Sequence, residues 1–265
     1  MQITFIGGGF MAEAIVRGIL DKAIVKPENL IVSDISTERC SLLEQRYKVA
    51  VTSDNCSAAE KGEVIVLAIQ PQSLAEVMKE LKGHLKPEQL ILSIVARADI
   101  ATLNQGLNHK AIVRAMPNIL AQIGEGITVW TATNEVSQQH KERVLSILNA
   151  LGKEVFVAEE RYIDMATALS GSGPAYIFTI IESLIDAGVY IGLPREVAEE
   201  LVLQTILGAT HLVEKTHTHP AELRNKVTSP GGTTAEGLLK LEEGGLRALL
   251  TKAIIASYEK AKTGI

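Results

Sequence analysis

The first dozen residues constrain this chain more than any other stretch. Ile3, Phe5 and Ile6 form an apolar run, Gly7-Gly8-Gly9 interrupts it, and Met11, Ala14, Ile15 and Ile19 follow at helical spacing. That pattern predicts a strand, a tight turn and a helix. In such a unit Gly7 makes the turn, Gly9 lets the backbone approach a ligand, and Ala12 is small enough for helix and strand to pack together. The first N–H groups of a helix lack intrahelical partners and attract an anion. Glycines also mark plain surface turns, but a strand before them and a helix after them favour a nucleotide pyrophosphate.

Composition excludes several other classes. The 265 residues suffice for one large or two modest domains. Formal net charge is −5, from 26 Lys and Arg against 31 Asp and Glu, and 4% of residues are aromatic. That balance is a poor match for nucleic acid, whose backbone needs cations and whose bases need ring faces. No uninterrupted apolar run approaches the ~18 residues that span a bilayer, and no basic segment precedes the first apolar residues. Cys40 and Cys56 lack CxxC spacing, so neither a disulfide framework nor a metal site is expected. These features point to a cytoplasmic protein without nucleic-acid or membrane partners.

Further strands are expected at Asn29–Asp34, Glu63–Ile69, Leu90–Val95 and Ala111–Met116. The continuous run Val64 to Ile69 suits a central parallel strand covered on both faces. Pro71 stands where a helix would start, and Leu74, Val77, Met78 and Leu81 follow at helical spacing. Gly126 to Trp130, a helix from Glu135 to Leu151, and Glu154 to Val157 complete this half. Strands alternating with helices predict a doubly wound α/β sheet of Rossmann type, with ligands beyond the carboxyl ends of the strands. Gln70-Pro71, Val95-Ala96-Arg97 and Met116-Pro117-Asn118 fall there. Asp34 ends the second strand. It either accepts a hydrogen bond from a ribose 2′-hydroxyl and repels a 2′-phosphate, or starts the next helix as a cap, a task for which Ser36 competes. Ser33, Ser36 and Arg39 are close enough in sequence to soften the repulsion.

Beyond about Glu160 strand-like alternation ceases. The sequence divides into a dinucleotide-binding domain over 1–160 and an all-helical domain over 161–265. Pro174 is placed for the first turn of a helix whose buried stripe is expected at Ile177, Ile181, Leu184, Ile185 and Gly188. Gly192 ends it and Pro194 starts the next. Gly171-Ser172-Gly173 is not a nucleophile elbow, and His217 and His219 have no metal-ligating neighbours, which suits a solvent-facing loop. Val227 to Thr234 differs from these. A Pro and two Gly after a helix, then Thr233-Thr234-Ala235-Glu236, make a loop feeding a helix N-terminus, suited to a carboxylate or phosphate.

Those segments together resemble the pyrroline-5-carboxylate reductase family over the whole chain. The resemblance is carried by Ala168 to Tyr176, Gly192 to Arg195, His219-Pro220 with Leu223-Arg224, Val227 to Thr234, and Leu241-Glu242. Met116-Pro117-Asn118 and Ala68 to Gln72 match as well. The resemblance implies hydride transfer from NADPH, with NADH the alternative, to the C=N bond of 1-pyrroline-5-carboxylate, giving L-proline. It also implies homodimers that interlock through their helical domains, and in many members a decamer.

The same resemblance assigns the site. Ile6, Gly7, Gly8, Gly9, Phe10 and Met11 would meet the pyrophosphate, and Ser33, Asp34 and Asn55 the adenosine end. Ala68, Ile69, Gln70, Pro71, Ile94, Val95 and Ala96 would line the nicotinamide half, with Met116, Pro117 and Asn118 beside them. Ser229, Gly231, Gly232, Thr233 and Thr234 would hold the substrate carboxylate, and Glu160 would lie near the ring nitrogen. Thr234 is the candidate catalytic hydroxyl. Asp34-Ile35 stands where many members have Asn-Arg, Gln70 replaces a frequent Lys, Arg97 a frequent Gly, and Leu120 a usual Pro. Coenzyme preference is therefore open while the reaction is not. Two rivals fare worse. A β-hydroxyacid dehydrogenase needs a Lys early in the helical domain, and none occurs between Lys153 and Lys215. A non-catalytic NADP-binding sensor has no use for the Ser229–Thr234 loop.

Overall fold

The computed structural model describes residues 1–263. Strand β1 (Ile3–Ile6) leads through the glycine turn into α1 (Phe10–Asp21), then β2 (Leu30–Ser33), α2 (Thr37–Tyr47), β3 (Ala50–Thr52) and α3 (Asn55–Ala59). The alternation continues with β4 (Val64–Leu67), α4 (Leu74–Leu81), β5 (Leu90–Ser93), α5 (Ile100–Leu107) and β6 (Ile112–Met116). Next come β7 (Gly126–Ala132), α6 (Gln138–Asn149) and β8 (Gly152–Phe156). The strands form one sheet in the order β3-β2-β1-β4-β5-β6-β7-β8.

Both faces of this sheet are covered, which explains its continuous apolar runs. Ile3, Phe5, Val64, Val66, Leu90 and Leu92 pack with α1 and α6 on one face. Ile6, Ile65, Leu67, Ile91 and Ile112 pack with α3, α4 and α5 on the other. One pairing departs from the parallel pattern: β7 runs antiparallel to β6. The link between them holds little more than the 3₁₀ turn Ile119–Ile123, too short for a crossover of a dozen or more residues. Strand β3 at the edge was not anticipated, because three partly exposed residues leave no periodic signal.

Helix α7 (Arg161–Ala166) is followed by one π turn, Thr167–Gly171, then α8 (Gly173–Tyr190), α9 (Arg195–Thr216), α10 (Pro220–Lys226), α11 (Thr233–Glu243) and α12 (Leu246–Lys262). Packing divides the chain into residues 1–174 with the chain end from Ser257, and residues 175–256. The break expected at 160/161 falls before α7, and α7 packs on β6 and β7. In the π turn Ser172 N–H donates to the Thr167 carbonyl five residues back. The displaced Ser170 carbonyl accepts instead from the Asn118 amide at 3.1 Å.

Within the helical unit only Ile185 and Ala198 are buried. The stripe expected to be buried on α8 is therefore corrected: Ile177 and Leu184 are exposed, and Ile181 and Gly188 are half-buried. Helical spacing identifies the face that seeks an apolar partner; it does not place that partner in the same chain.

Candidate active site

The glycine turn is built by close approach. Gly7 has φ +96°, and a Cβ there would lie 2.6 Å from the Ala68 carbonyl oxygen. Its N–H donates to the Ser33 carbonyl at 2.8 Å, extending the ladder past β1. Gly8 N–H donates to Asp34 Oδ2 at 2.7 Å. Gly9 caps α1 without a side-chain bond, and a Cβ there would meet nothing within 4 Å. The first bond inside α1 is Glu13 N–H to Gly9 O at 3.0 Å, so the N–H groups of Phe10, Met11 and Ala12 remain for a ligand. Space at Gly9 together with these donors fits a pyrophosphate.

At the end of β2, Asp34 braces the turn and leaves capping to its neighbour. Its Oδ1 accepts from Ser36 N–H at 2.9 Å, while the Ser36 hydroxyl caps α2 by accepting from Arg39 N–H at 3.1 Å. The Ser33 hydroxyl donates to Asn55 Oδ1 at 2.7 Å, and Asn55 Nδ2 donates to Glu80 at 2.9 Å. Both side chains are buried, and these bonds tie the end of β2 to the start of α3 and to α4. Sequence reasoning undervalued Arg39. Its guanidinium donates to the Gly8 carbonyl, to the Gly9 carbonyl at 3.3 Å and to the Glu13 carboxylate. Glu13 also accepts from Arg46 at 2.7 Å and from the Tyr47 hydroxyl at 2.9 Å. Burial works to raise the Glu13 pKa, but hydrogen bonds from Arg39, Arg46 and Tyr47 outweigh it and hold the carboxyl below its ordinary value.

The neighbouring ends of β4, β5 and β6 carry Ala68–Pro71, Ile94–Ala96 and Met116–Asn118. Arg97 holds a left-handed φ of +62° that a glycine would adopt without strain. Asn118 is committed: it donates to Ser170, and its Oδ1 accepts from Ile127 N–H at 3.4 Å. Glu160 is likewise engaged. It accepts from Ile100 N–H at 2.8 Å and from Arg114 Nη1 at 2.9 Å. Arg114 Nη2 reaches Asp164 at 2.7 Å, and Arg114 itself is 3% exposed. One buried guanidinium thus ties β6 to α7. The signal was available, since Arg114 is the one charge in the apolar run Ala111–Met116, and a buried charge requires partners.

In the helical unit, Gly232 N–H donates to the Ser229 carbonyl at 3.0 Å, closing the turn before α11. Gly231 sits at φ +68°. A Cβ on Gly232 would meet the Ser229 hydroxyl, which would have to rotate away, so geometry favours glycine most strongly at Gly231. Gly232 caps α11 without a side chain, and the first intrahelical bonds start from Ala235 and Glu236. The N–H groups of Thr233 and Thr234 are left to meet an anion. His219 accepts from Ala221 N–H at 3.2 Å, capping α10. Asp54, Cys56 and Glu80 bring ligand-type atoms within 4.8 Å of one another, but Asp54 caps α3 and Cys56 Sγ donates to the Glu80 carbonyl.

Two family models match the chain. One, described as NADP oxidoreductase, coenzyme F420-dependent, covers residues 2–97. The other, pyrroline-5-carboxylate reductase dimerisation, covers residues 160–264. A pyrroline-5-carboxylate reductase of Synechocystis sp. is 40% identical over 262 residues, 99% of this chain and 97% of the relative. One from Arabidopsis thaliana is 35% identical over 261 residues, 98% and 94% of the two chains. Among solved structures, the Plasmodium falciparum pyrroline carboxylate reductase with NADP bound superposes with a TM-score of 0.91 at 35% identity, covering 99% of this chain and 97% of that one. The cradle at Gly9 and the loop at Gly232 thus occur in a chain whose whole length matches these reductases, and the protein belongs to the pyrroline-5-carboxylate reductase family.

Proposed function

We propose that the protein reduces the ring C=N bond of 1-pyrroline-5-carboxylate with NAD(P)H, giving L-proline in the last step of proline biosynthesis. The observation that carries this reading is the pair of open helix N-termini, α1 behind Gly9 and α11 behind Gly232, in a full-length relative of known reductases. The coenzyme, when bound, supplies a hydride. Phe10 and Met11 N–H groups hold its pyrophosphate, and the ends of β4 and β5 flank its nicotinamide half. Backbone N–H groups of Thr233 and Thr234 hold the substrate carboxylate. The Thr234 hydroxyl hydrogen-bonds the ring nitrogen. A protonated imine is already electrophilic, so placement contributes more than a strong acid would. Glu160 acts through Arg114 and the start of α5 as a positioning group.

The exposed apolar surface of α8 and α9 supports a homodimer as the working unit, and we extend this to a decamer of five dimers in the cytoplasm. The helical stretch Arg161–Tyr190 is long and apolar enough to cross a membrane by length and composition. It lies within the match to the dimerisation family, so a second copy accounts for its apolar surface. Purified protein should oxidise NAD(P)H only when pyrroline-5-carboxylate is supplied. Coenzyme binding without turnover would favour the sensor reading instead.

A further inference from the structure

The adenosine end of the coenzyme cradle is lined by Asp34 at the end of β2. Asp34 is fixed at the mouth by two backbone donors, Gly8 N–H at 2.7 Å and Ser36 N–H at 2.9 Å. A carboxylate has about four acceptor sites, so lone pairs remain for a ribose hydroxyl. Groups that could offset its charge against a phosphate are held by other partners. The Ser33 hydroxyl donates to Asn55. The Ser36 hydroxyl donates to Glu38 at 2.9 Å, which adds a second carboxylate to the same rim. Ile35 is 91% exposed and uncharged. Arg39 lies over the Gly8 and Gly9 carbonyls with its charge matched by Glu13, and Glu13 is itself fixed by Arg46 and Tyr47.

We infer that Asp34, with Arg39 pinned by Glu13, determines coenzyme choice: the rim accepts a ribose 2′-hydroxyl and repels a 2′-phosphate, so the enzyme works better with NADH than with NADPH. A 2′-hydroxyl donates its hydrogen to the Asp34 carboxylate. A 2′-phosphate brings negative charge to the same place and has no hydrogen to give. The inference rests on the reductase reading for its kinetic test but not for its binding test.

The experiment titrates the protein with adenosine 5′-monophosphate and with adenosine 2′,5′-bisphosphate by calorimetry, and measures kcat/KM with NADH and NADPH. Wild-type protein should bind the monophosphate about 10- to 100-fold more tightly, as expected for one partly screened contact between like charges. The kinetic ratio should favour NADH in the same sense. Asp34→Asn should lower both ratios about tenfold or more. Glu13→Gln, which frees Arg39, should lower them in the same direction by a smaller factor. Added salt should narrow the wild-type ratio and leave that of Asp34→Asn nearly unchanged. Equal or tighter binding of the bisphosphate by wild-type protein overturns the inference, with or without the variants. Ratios that stay at the wild-type value in both variants overturn the assignment to this rim. Absence of turnover with either coenzyme would sink the reductase reading, while the calorimetric ratio would still decide this one.

Discussion

The two halves of the chain solve the problem of burial differently. The sheet unit encloses its apolar residues by itself: Phe5, Ile15, Ile65 and Leu92 have no exposed surface worth the name. The helical unit has apolar side chains in a similar proportion but buries almost none, and Phe178, Leu203 and Leu207 are about half exposed. Apolar surface left in water forgoes ~25 cal/mol for each Å² that could be buried. A stretch of 82 residues from Ala175 to Ala256 with two buried side chains therefore leaves an apolar surface uncovered, and it lies within the match to a dimerisation family. Self-sufficiency in the sheet unit and an uncovered apolar surface in the helical unit are properties of one chain.

The sharpest way to break this contrast is to place charge on the two kinds of exposed apolar residue. Leu203→Glu with Leu207→Glu puts two carboxylates on one face of α9, and each uncompensated charge in an interface costs ~3–5 kcal/mol. Dimer and activity should be lost together, read by sedimentation and by turnover. Ile35→Glu, on the sheet unit, should change the stability read by urea unfolding by no more than ~0.5 kcal/mol. Equal effects at both places would erase the distinction.

Arg114→Ala tests the sheet unit from inside. It removes the one buried partner of Glu160 and Asp164. We expect a loss of ~3 kcal/mol, the low end for a broken buried pair, because both carboxylates keep some contact with water. Urea unfolding should report it while the dimer persists. Gly7→Ala is next in size. A left-handed φ and the approach to Ala68 make a cost of ~1–3 kcal/mol, with weaker coenzyme binding by calorimetry and unchanged mass.

The halves also differed in what their sequence disclosed. Strands β1, β4 and β5 were legible because both faces are covered, and the run Val64–Leu67 has no polar interruption. The glycine turn was legible because close approach and a left-handed φ at Gly7 favour no other residue. Strand direction at β7 was not, since it depends on the length of a link whose 3₁₀ turn has no periodic signature. On α8 the apolar stripe was legible and its burial was not, because helical spacing marks an apolar face without saying what covers it. Asp34 was left between two roles, and the Gly8 N–H bond that decides its place joins residues 26 positions apart. No local pattern encodes such a pair. Arg39 was placed near Asp34, but its partners at Gly8, Gly9 and Glu13 were not legible because they lie 26 or more positions away, whereas Arg114 did leave a local signal as a lone charge in an apolar run.

The smallest effect expected is at Thr234. If its hydroxyl only orients the ring, Thr234→Ala costs ~0.5–1.5 kcal/mol, or roughly 2- to 12-fold in kcat/KM. General-acid catalysis would be worth ~10²–10⁴-fold. The N–H groups at the head of α11 survive the substitution, so KM should rise more than kcat falls. A thousandfold loss in kcat with the fold intact would make Thr234 a proton donor.

The dependence of the helical half on a second copy is tested most directly by sedimentation equilibrium from micromolar to nanomolar protein, with helicity and turnover followed on the same samples. A mass of twice 28.5 kDa or a higher multiple should persist for as long as helicity and activity do. A species of 28.5 kDa that keeps its full helicity and reduces pyrroline-5-carboxylate would contradict it.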